Sequence, residues 1–349
     1  RVADDTDLIP GVPIALGAEL VHGNTNLLTD LAARHGWKLH QVFTWAQGDG
    51  GPSEEESPSG TAGYYFVEGK LYRFDSVPPE LTALNDLLWG VADLPEDTLP
   101  PHGTSVEDYL RSQGVREPYL AMADAGYANT AGSTLPALSL RHARHQEQQW
   151  ESDGNHDALM VPSVHTIVDH FKKGCDIRTN WVVSGVAYHP QVPGTAPLVD
   201  VVSTTGERIT ASAVIVTVPP PPLRDGDIQF CPPLSVERLT ALRRVTFSNG
   251  TKTHLSFSQR CWPADADGCI FADSFFPEMW FRSGGVPFHL VTCFAMSDSA
   301  DRIAELSEAT VFAHALSQLS TVFGGAAHKY FLSGSRTVWA DHPFIRGAY

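Results

Sequence analysis

The run AVIVTV, residues 213–218, is the sequence feature that most limits the fold. It is apolar without alternation, as in a strand that is buried on both faces, and four prolines at 219–222 end it abruptly. Strands of that kind are typical of sheets that helices cover on both sides. The run therefore predicts an α/β protein with this strand inside a layered domain.

The length and the order of the predicted elements indicate two domains. The chain has 349 residues, more than one ordinary domain requires. Periodicity and turn residues predict helices over 26–35 and 305–323, a hairpin over 64–74, and strands over 181–188, 198–203 and 251–257. Thr104 and Glu107 form a predicted capping box. This order indicates a nucleotide-binding α/β layer that a second domain interrupts.

The composition excludes several classes of protein. Hydrophobic residues make up 42% and charged residues 18%, which is typical of a globular chain, and no apolar run approaches the ~18 residues of a membrane helix. The net charge of −16 disfavours nucleic-acid binding. It is compatible with a cationic substrate, or with solubility alone. The five cysteines contain no CxxC pair, so we expect reduced thiols and an intracellular location, cytoplasmic or peroxisomal.

The stretch ALGAELVHG, residues 15–23, lacks bulk where a buried strand would carry it. Gly17 and Ala18 admit a close neighbour, which is either another strand or a flat ligand. With a period of two, Leu20 and His22 share one face and Glu19 points the other way, so no Glu19–His22 pair is expected. His22 is a candidate substrate ligand or base, or a histidine that caps a turn.

Lys252 and the histidine pair at 142 and 145 are further candidates for a functional site, and each also has a structural explanation. Lys252 lies inside an apolar strand, where a lysine usually marks a sheet edge and extends its ammonium into solvent. His142 and His145 lie one helical turn apart without a third ligand, so no metal site is expected.

Four stretches together resemble the flavin-containing amine oxidases, the family of polyamine oxidases, monoamine oxidases and lysine-specific histone demethylases. They follow one another in the order of that family and are IALGAELVHG, AVIVTVPPPPLRDGDIQFCPPL, GTKTHLSFSQRCW and TVWADHPFIRGAY. They span nearly the whole chain, and each one alone would be a weak signal.

The resemblance implies an α/β fold: an FAD-binding, Rossmann-like layer, incomplete here, with an inserted α+β substrate-binding domain. It assigns residues 1–42, 156–226 and 336–349 to the FAD-binding domain, and 43–155 and 227–335 to the substrate-binding domain. The glycine-rich turn with which the family opens, and its last FAD segment, are not in the sequence. A chain truncated at both ends is therefore expected.

The resemblance also implies site residues. Lys252 would hold a water against the flavin N5, and His22 with Leu20 would line the substrate side, where the family often has an aromatic residue instead of Leu20. The other cofactor contacts would come from Arg1, Gly17, Ala18, Val183, Thr217, Val218, Pro219, Trp339 and Tyr349. Without the resemblance, these positions would be explained as buried strands and core aromatics.

The implied activity is the oxidation of an amine, with a polyamine favoured. Hydride would pass from the α-carbon to FAD, the imine would hydrolyse, and O2 would reoxidise the flavin to give hydrogen peroxide. A protein lysine and a small monoamine are the alternative substrates. A non-catalytic binding module is the alternative class, because the glycine-rich turn is missing. The expected partners are a small-molecule amine and O2, with no nucleic acid and no membrane segment.

Overall fold

The chain divides into two compact units. The computed structural model describes residues 2–44, 63–154, 156–188, 198–264, 266, 268–282, 288–325 and 327–349. Unit 1 comprises Arg1–Phe171 with Gly250–Thr337, and unit 2 comprises Lys172–Asn249 with Val338–Tyr349. Both helices and sheets occur among the described residues, so the predicted α/β class is confirmed.

The strands are mostly short. In chain order they are β1 Asp4–Asp5, β2 Ile14–Ala15, β3 Leu20–His22, β4 Lys38–Thr44, β5 Tyr64–Val67, β6 Lys70–Arg73, β7 His156–Val161, β8 Val183–Tyr188, β9 Val199–Ser203, β10 Arg208–Ala211, β11 Gln229–Cys231, β12 Gly250–Phe257, β13 Cys269–Ala272, β14 Glu278–Arg282, β15 His289–Met296 and β16 Phe331–Val338.

The helices are concentrated in unit 1. They are α1 Leu27–His35, α2 Pro79–Trp89, α3 Val106–Ser112, α4 Tyr119–Ala123, α5 Leu140–Asp153, α6 His165–Phe171, α7 Pro220–Arg224, α8 Val236–Arg244, α9 Ser297–Ala304, α10 Glu308–Phe323 and α11 Ala327–Tyr330. A π-helical turn, Asp124–Ala128, follows α4 directly. None of the described helices is long and apolar enough to cross a membrane.

The core of unit 1 surrounds a large sheet. Its strand order over the described residues is β16-β12-β15-β14-β13-β5-β6. One face packs against α9 and α10, and the other packs against the helices α2 to α5. The alternation is clear in β13, where Ile270 belongs to the first core and Phe271 to the second. Helices on both faces explain why the central strands are almost fully buried, including polar and charged positions such as Lys252 and Glu278.

Local sequence signals place several of these elements correctly. Helix α1 begins after its cap Asn26 and ends at Gly36, which takes a left-handed conformation. The predicted hairpin is β5–β6, and it turns through Glu68 and Gly69 with positive φ at both.

The predicted capping box is wrong by one residue. The cap of α3 is Ser105, whose hydroxyl accepts from the amide of Asp108 at 3.0 Å, while the Asp108 carboxylate accepts from the Ser105 amide at 3.2 Å. The Thr104 hydroxyl donates instead to the carbonyl of Pro101 at 2.9 Å. Thr104 therefore belongs to the preceding turn, and Glu107 is not the capping partner.

The predicted buried strand over 213–218 is wrong. Among the described strands of unit 2 the sheet order is β10-β9-β8-β11, and the run lies outside it. Ile215 is 90% exposed and Val216 is 40% exposed. A strand that is buried on both faces needs a hydrogen-bonded neighbour on each side, and the described strands of unit 2 supply none to this run.

The predicted FAD-binding and substrate-binding domains group residues by the ligand that each is expected to contact. They therefore differ from the two compact units. The predicted division places 1–42 and 43–155 in different domains, whereas both fall in unit 1. Residues 172–226 and 227–249 likewise fall together in unit 2. The assignment of each part to cofactor or substrate stays a prediction.

Candidate functional site

Lys252 is a buried ammonium on an inner strand of the large sheet, next to its edge strand. Strand β12 lies between β16 and β15, and all its residues are buried. The Lys252 ammonium donates to the carboxylate of Glu19 at 2.5 Å and approaches the carbonyl of Ala15 at 3.5 Å. It also lies 4.8 Å from the ring centroid of Trp280. The edge-strand explanation of Lys252 is therefore wrong.

The charges around this ammonium form a small network. Arg282 places its guanidinium 3.6 Å from the second oxygen of Glu19. Burial raises the pKa of the Glu19 carboxyl, but the charges of Lys252 and Arg282 outweigh it and the pKa is lowered. Burial and then the charge of Lys252 lower the pKa of His254 to about 4. Glu19 is therefore ionised beside Lys252, while His254 is neutral.

The segment from Ala18 to Gly23 alternates between the core and an open face. Glu19 and Val21 are buried, whereas Ala18 and His22 are exposed and Leu20 is half-buried. The prediction that Glu19 and His22 point to opposite sides is confirmed. The missing bulk at Ala18 thus leaves the backbone of the open face accessible.

Gly23 ends this segment for a steric reason. Its φ is +80°, and a Cβ there would lie 2.5 Å from the carbonyl oxygen of Asp153. The same carbonyl accepts from the amides of Asn24 and Thr25 at 2.7 and 3.0 Å. The chain therefore turns tightly beneath the end of α5, and His22 is held at that turn.

His22 is paired with a carboxylate that the sequence reasoning missed. Strand β3 is antiparallel to β7, and their register sets His22 opposite Asp157. The His22 Nδ1 lies 2.7 Å from the Asp157 carboxylate, whose side chain is buried while that of His22 is half exposed. Burial lowers the pKa of His22, but the hydrogen bond and charge of Asp157, with the charge of Glu278, outweigh it and raise the pKa.

A cavity of about 380 Å³ in unit 1 begins at His22. Its carboxylates are Asp86, Asp93, Glu147 and Asp157, and its aromatic rings are Tyr65, Trp89, Tyr127, Trp150 and Phe271. Lysine and arginine are missing from its described lining. Glu147 is buried and shares a hydrogen bond with Tyr127, and burial followed by this carboxylate raises the pKa of Tyr127. The cavity therefore combines negative charge with aromatic faces, which suits a cation.

The remaining predicted cofactor residues lie in unit 2, apart from Arg1, which is outside the described residues. Val183 begins strand β8 and is half-buried. Thr217 is exposed, and Val218 and Pro219 are half-buried in the non-strand run before α7. These positions are therefore accessible, and their contacts with a cofactor stay a prediction.

The two predicted aromatic contacts differ in burial. Trp339 is buried in a short 3-10 turn, Trp339–Asp341, and its carbonyl accepts from the amide of Gly347 at 3.1 Å. Tyr349 is 57% exposed, and its carbonyl accepts from the amide and the hydroxyl of Ser248. Trp339 therefore has a fixed place in unit 2, while Tyr349 is largely exposed to solvent.

Comparison with known proteins agrees with this picture. The whole chain, residues 1–349, matches the family of flavin containing amine oxidoreductases. Lysine-specific histone demethylase 1B of Mus musculus is 34% identical over 140 residues, 40% of this chain and 16% of that protein. Polyamine oxidase 3 of Oryza sativa subsp. japonica is 24% identical over 369 residues, 99% of this chain and 70% of that protein. Wild-type putrescine oxidase bound to putrescine has a TM-score of 0.78 at 18% identity, over 100% of this chain and 79% of that one.

The chain belongs to the flavin containing amine oxidoreductase family. The predicted family and its cofactor FAD are thereby confirmed, as is the predicted fold, which the putrescine oxidase structure shares. The chain spans only 16% of the mouse demethylase and 27% of the human lysine-specific histone demethylase 2.

Proposed function

We propose that this chain carries the substrate cavity and the lysine centre of a flavin-dependent amine oxidase, and that its substrate is a cationic amine of the polyamine type. The observation that carries the proposal is the cavity at His22, which has buried carboxylates, aromatic walls and no described lysine or arginine in its lining. An ammonium that leaves water needs such compensation, because burying an unpaired charge is costly. The similarity to the rice polyamine oxidase and to putrescine oxidase supports a substrate of the polyamine class.

The residues of unit 1 fit a flavin. Ala18 is exposed and Gly17 is half-buried, so a flat ring system can approach their backbone closely. Lys252 is held beside that segment by Glu19. FAD, when bound, supplies the hydride acceptor of the reaction. We propose that Gly17 and Ala18 contact the ring and that Lys252 orders a water at its edge. For unit 2 we propose contacts from Val183, Thr217, Val218, Pro219, Trp339 and Tyr349.

The proposed role of His22 in substrate binding follows from its hydrogen bond with Asp157. Asp157 accepts from the Nδ1 side of the imidazole, which leaves the Nε2 side for a ligand in the cavity. We propose that Nε2 hydrogen-bonds the substrate amine and orients it. Leu20, two residues earlier on the same open face, supplies an apolar contact in place of the family's aromatic residue.

The decisive experiment compares amines that differ in charge. The chain, supplied with FAD, is tested with putrescine, spermidine and butylamine, and both binding and peroxide production are measured. Putrescine should bind about 10- to 100-fold more tightly than butylamine, because a second ammonium gains a charged hydrogen bond in the cavity. Glu147→Gln should remove most of that difference, while Glu80→Gln, an exposed carboxylate on α2 outside the cavity lining, should leave it unchanged.

Three other results would change the assignment. Preference for a methylated lysine peptide would favour a demethylase, in line with the mouse relative. Equal use of butylamine would favour a monoamine oxidase. Amine binding without peroxide would favour a binding module.

A further inference from the structure

Glu278 is a buried carboxyl group that the proposed roles above leave unexplained. It lies at the start of β14, between β13 and β15, and is 4% exposed. One oxygen accepts from the indole N–H of Trp280 at 2.5 Å. The other oxygen accepts from the side-chain amide of Asn129 at 3.1 Å and lies 3.2 Å from the hydroxyl oxygen of Thr130. Both oxygens are therefore held in fixed positions.

The Thr130 hydroxyl lies within hydrogen-bond distance of two acceptors, the Glu278 carboxylate and the carbonyl of Gly126. The Thr130 hydroxyl has one proton, and its shorter contact, 2.8 Å, is with the carbonyl of Gly126. When that contact takes the proton, the Thr130 oxygen is an acceptor toward Glu278 and needs a protonated carboxyl. Asn129 is itself held in place, because its side-chain oxygen accepts from the amide of Met296 at 2.8 Å.

Thr130 connects this carboxyl group to the cavity. Thr130 and Gly126 both belong to the cavity lining, as does His22. Glu278 thus lies one hydroxyl group behind the cavity wall. The hydroxyl can donate toward Gly126 when Glu278 is neutral and toward Glu278 when Glu278 is a carboxylate.

We propose that Thr130 and Glu278 form a proton relay that takes a proton from an ammonium group bound in the cavity. The proposal rests on the proposed function, because amine oxidation requires the neutral amine. The ammonium donates one proton to the Thr130 oxygen while the Thr130 hydroxyl proton passes to Glu278. The products are a neutral amine and a neutral carboxyl group, and no electrons move.

The surroundings allow Glu278 to hold either state near neutral pH. Burial raises the pKa of Glu278 to about 7, against the hydrogen bonds from Trp280, Asn129 and Thr130 and the charge of Lys252. An alkylammonium ion, with a pKa of about 10.4 in water, needs such a nearby acceptor as well as the desolvation of the cavity.

The other titratable groups that face Glu278 come from three strands. The charge of Lys252, on β12 across the intervening strand β15, acts to lower the pKa of Glu278. Cys269 on β13 remains a thiol, because burial followed by the charge of Glu278 raises its pKa. The charge of Glu278 contributes to the raised pKa of His22 on β3, so a test must separate the two groups.

Infrared spectroscopy separates them, because only a protonated carboxyl group gives the carboxylic acid C=O band. The full chain is measured at about pH 8, where Glu278 is mainly a carboxylate, before and after putrescine is added. The amine has no carbonyl group, so a new carboxylic acid band reports a proton that has moved to the protein. We expect the band in the parent chain and its loss in Glu278→Gln.

Thr130→Val distinguishes a relay from a structural carboxyl group. It keeps the shape of Thr130 and the Glu278 side chain but removes the transferring hydroxyl. The Glu278 band should still titrate with pH in this variant and should no longer respond to putrescine. A response equal to that of the parent chain would overturn the relay.

Calorimetry on the same samples shows whether putrescine binds. Binding without a new band in the parent chain overturns the relay and leaves the proposed function standing. Absence of binding overturns the cationic-amine proposal, and the relay with it. Because Thr130→Val and the parent chain suffice for this comparison, the test holds even if Glu278→Gln does not fold.

Discussion

The Lys252 ammonium and the Glu19 carboxylate lie 2.5 Å apart, and both side chains are buried. A buried pair of this kind contributes little over an apolar substitute, but removing one partner leaves an uncompensated charge. Lys252→Met leaves the buried Glu19 carboxylate facing the more distant Arg282, and should lower the free energy of unfolding by about 3–5 kcal/mol. The double variant Glu19→Leu with Lys252→Met should lose much less than the sum of the single losses. Additive losses in denaturant unfolding would contradict this pairing.

His254 should make the chain sensitive to acid. Its pKa is about 4 in the fold and 6.5 as the ordinary value, so the unfolded chain binds a proton first as pH falls. Stability should therefore decrease between those values by about 1.4 kcal/mol per pH unit, roughly 3 kcal/mol in total. His254→Gln, which can keep a hydrogen bond to Thr292, should flatten this slope. Urea unfolding at about pH 7 and about pH 4.5 measures it, and an unchanged slope would contradict the prediction.

The His22–Asp157 pair should have the opposite pH dependence: its contribution to stability is lost as pH rises. Because Asp157 raises the pKa of His22, the pair stabilises the fold fully below the ordinary value of 6.5 and loses its effect as pH rises through the raised value. Asp157→Asn should lower the pKa of His22, as followed by the NMR shift of its ring proton. The exposed His142 supplies a control signal in the same spectra. If the His22 titration does not move, the contact with Asp157 does not govern its charge.

The sequence predicts best what depends on neighbouring residues. Helix α1, the β5–β6 hairpin and strand β12 follow from local periodicity and turn residues, and the structure confirms them. The alternating faces of Glu19 and His22 were predictable for the same reason. Family resemblance then favoured a functional Lys252, which base rates for strand lysines disfavoured.

The partners of these residues could not be predicted, because they depend on tertiary register. Asp157 meets His22 only because β3 and β7 pair antiparallel, across 135 residues of sequence. Glu278 and Glu147 lie in a strand and a helix without any motif that marks them. Buried carboxylates within otherwise apolar elements are the one signal that could have singled out Glu278.

Gly23 provides a test of backbone geometry beside His22. Gly23→Ala puts a Cβ into a left-handed conformation and 2.5 Å from the Asp153 carbonyl. Gly36→Ala has the same kind of conformation, but no atom lies within 4 Å of its new Cβ. We expect Gly36→Ala to lower the free energy of unfolding by about 1 kcal/mol. Gly23→Ala should lower it by about 1–3 kcal/mol more, because of the steric clash. Equal losses in thermal unfolding would show that the turn beneath α5 yields easily.

The run 213–218 shows where sequence and structure disagree most, and a pair of isoleucines tests it. Ile215 is 90% exposed, whereas Ile270 on β13 is 1% exposed. Ile215→Thr should therefore change the free energy of unfolding by no more than about 0.5 kcal/mol. Ile270→Thr removes apolar contacts and buries a hydroxyl, so it should cost about 2–4 kcal/mol. Both substitutions are the same chemical change in a β-branched side chain, so their difference reports burial alone. If Ile215→Thr costs as much as Ile270→Thr, the run packs as a strand in solution, and the apolar pattern of 213–218 predicted the fold correctly after all.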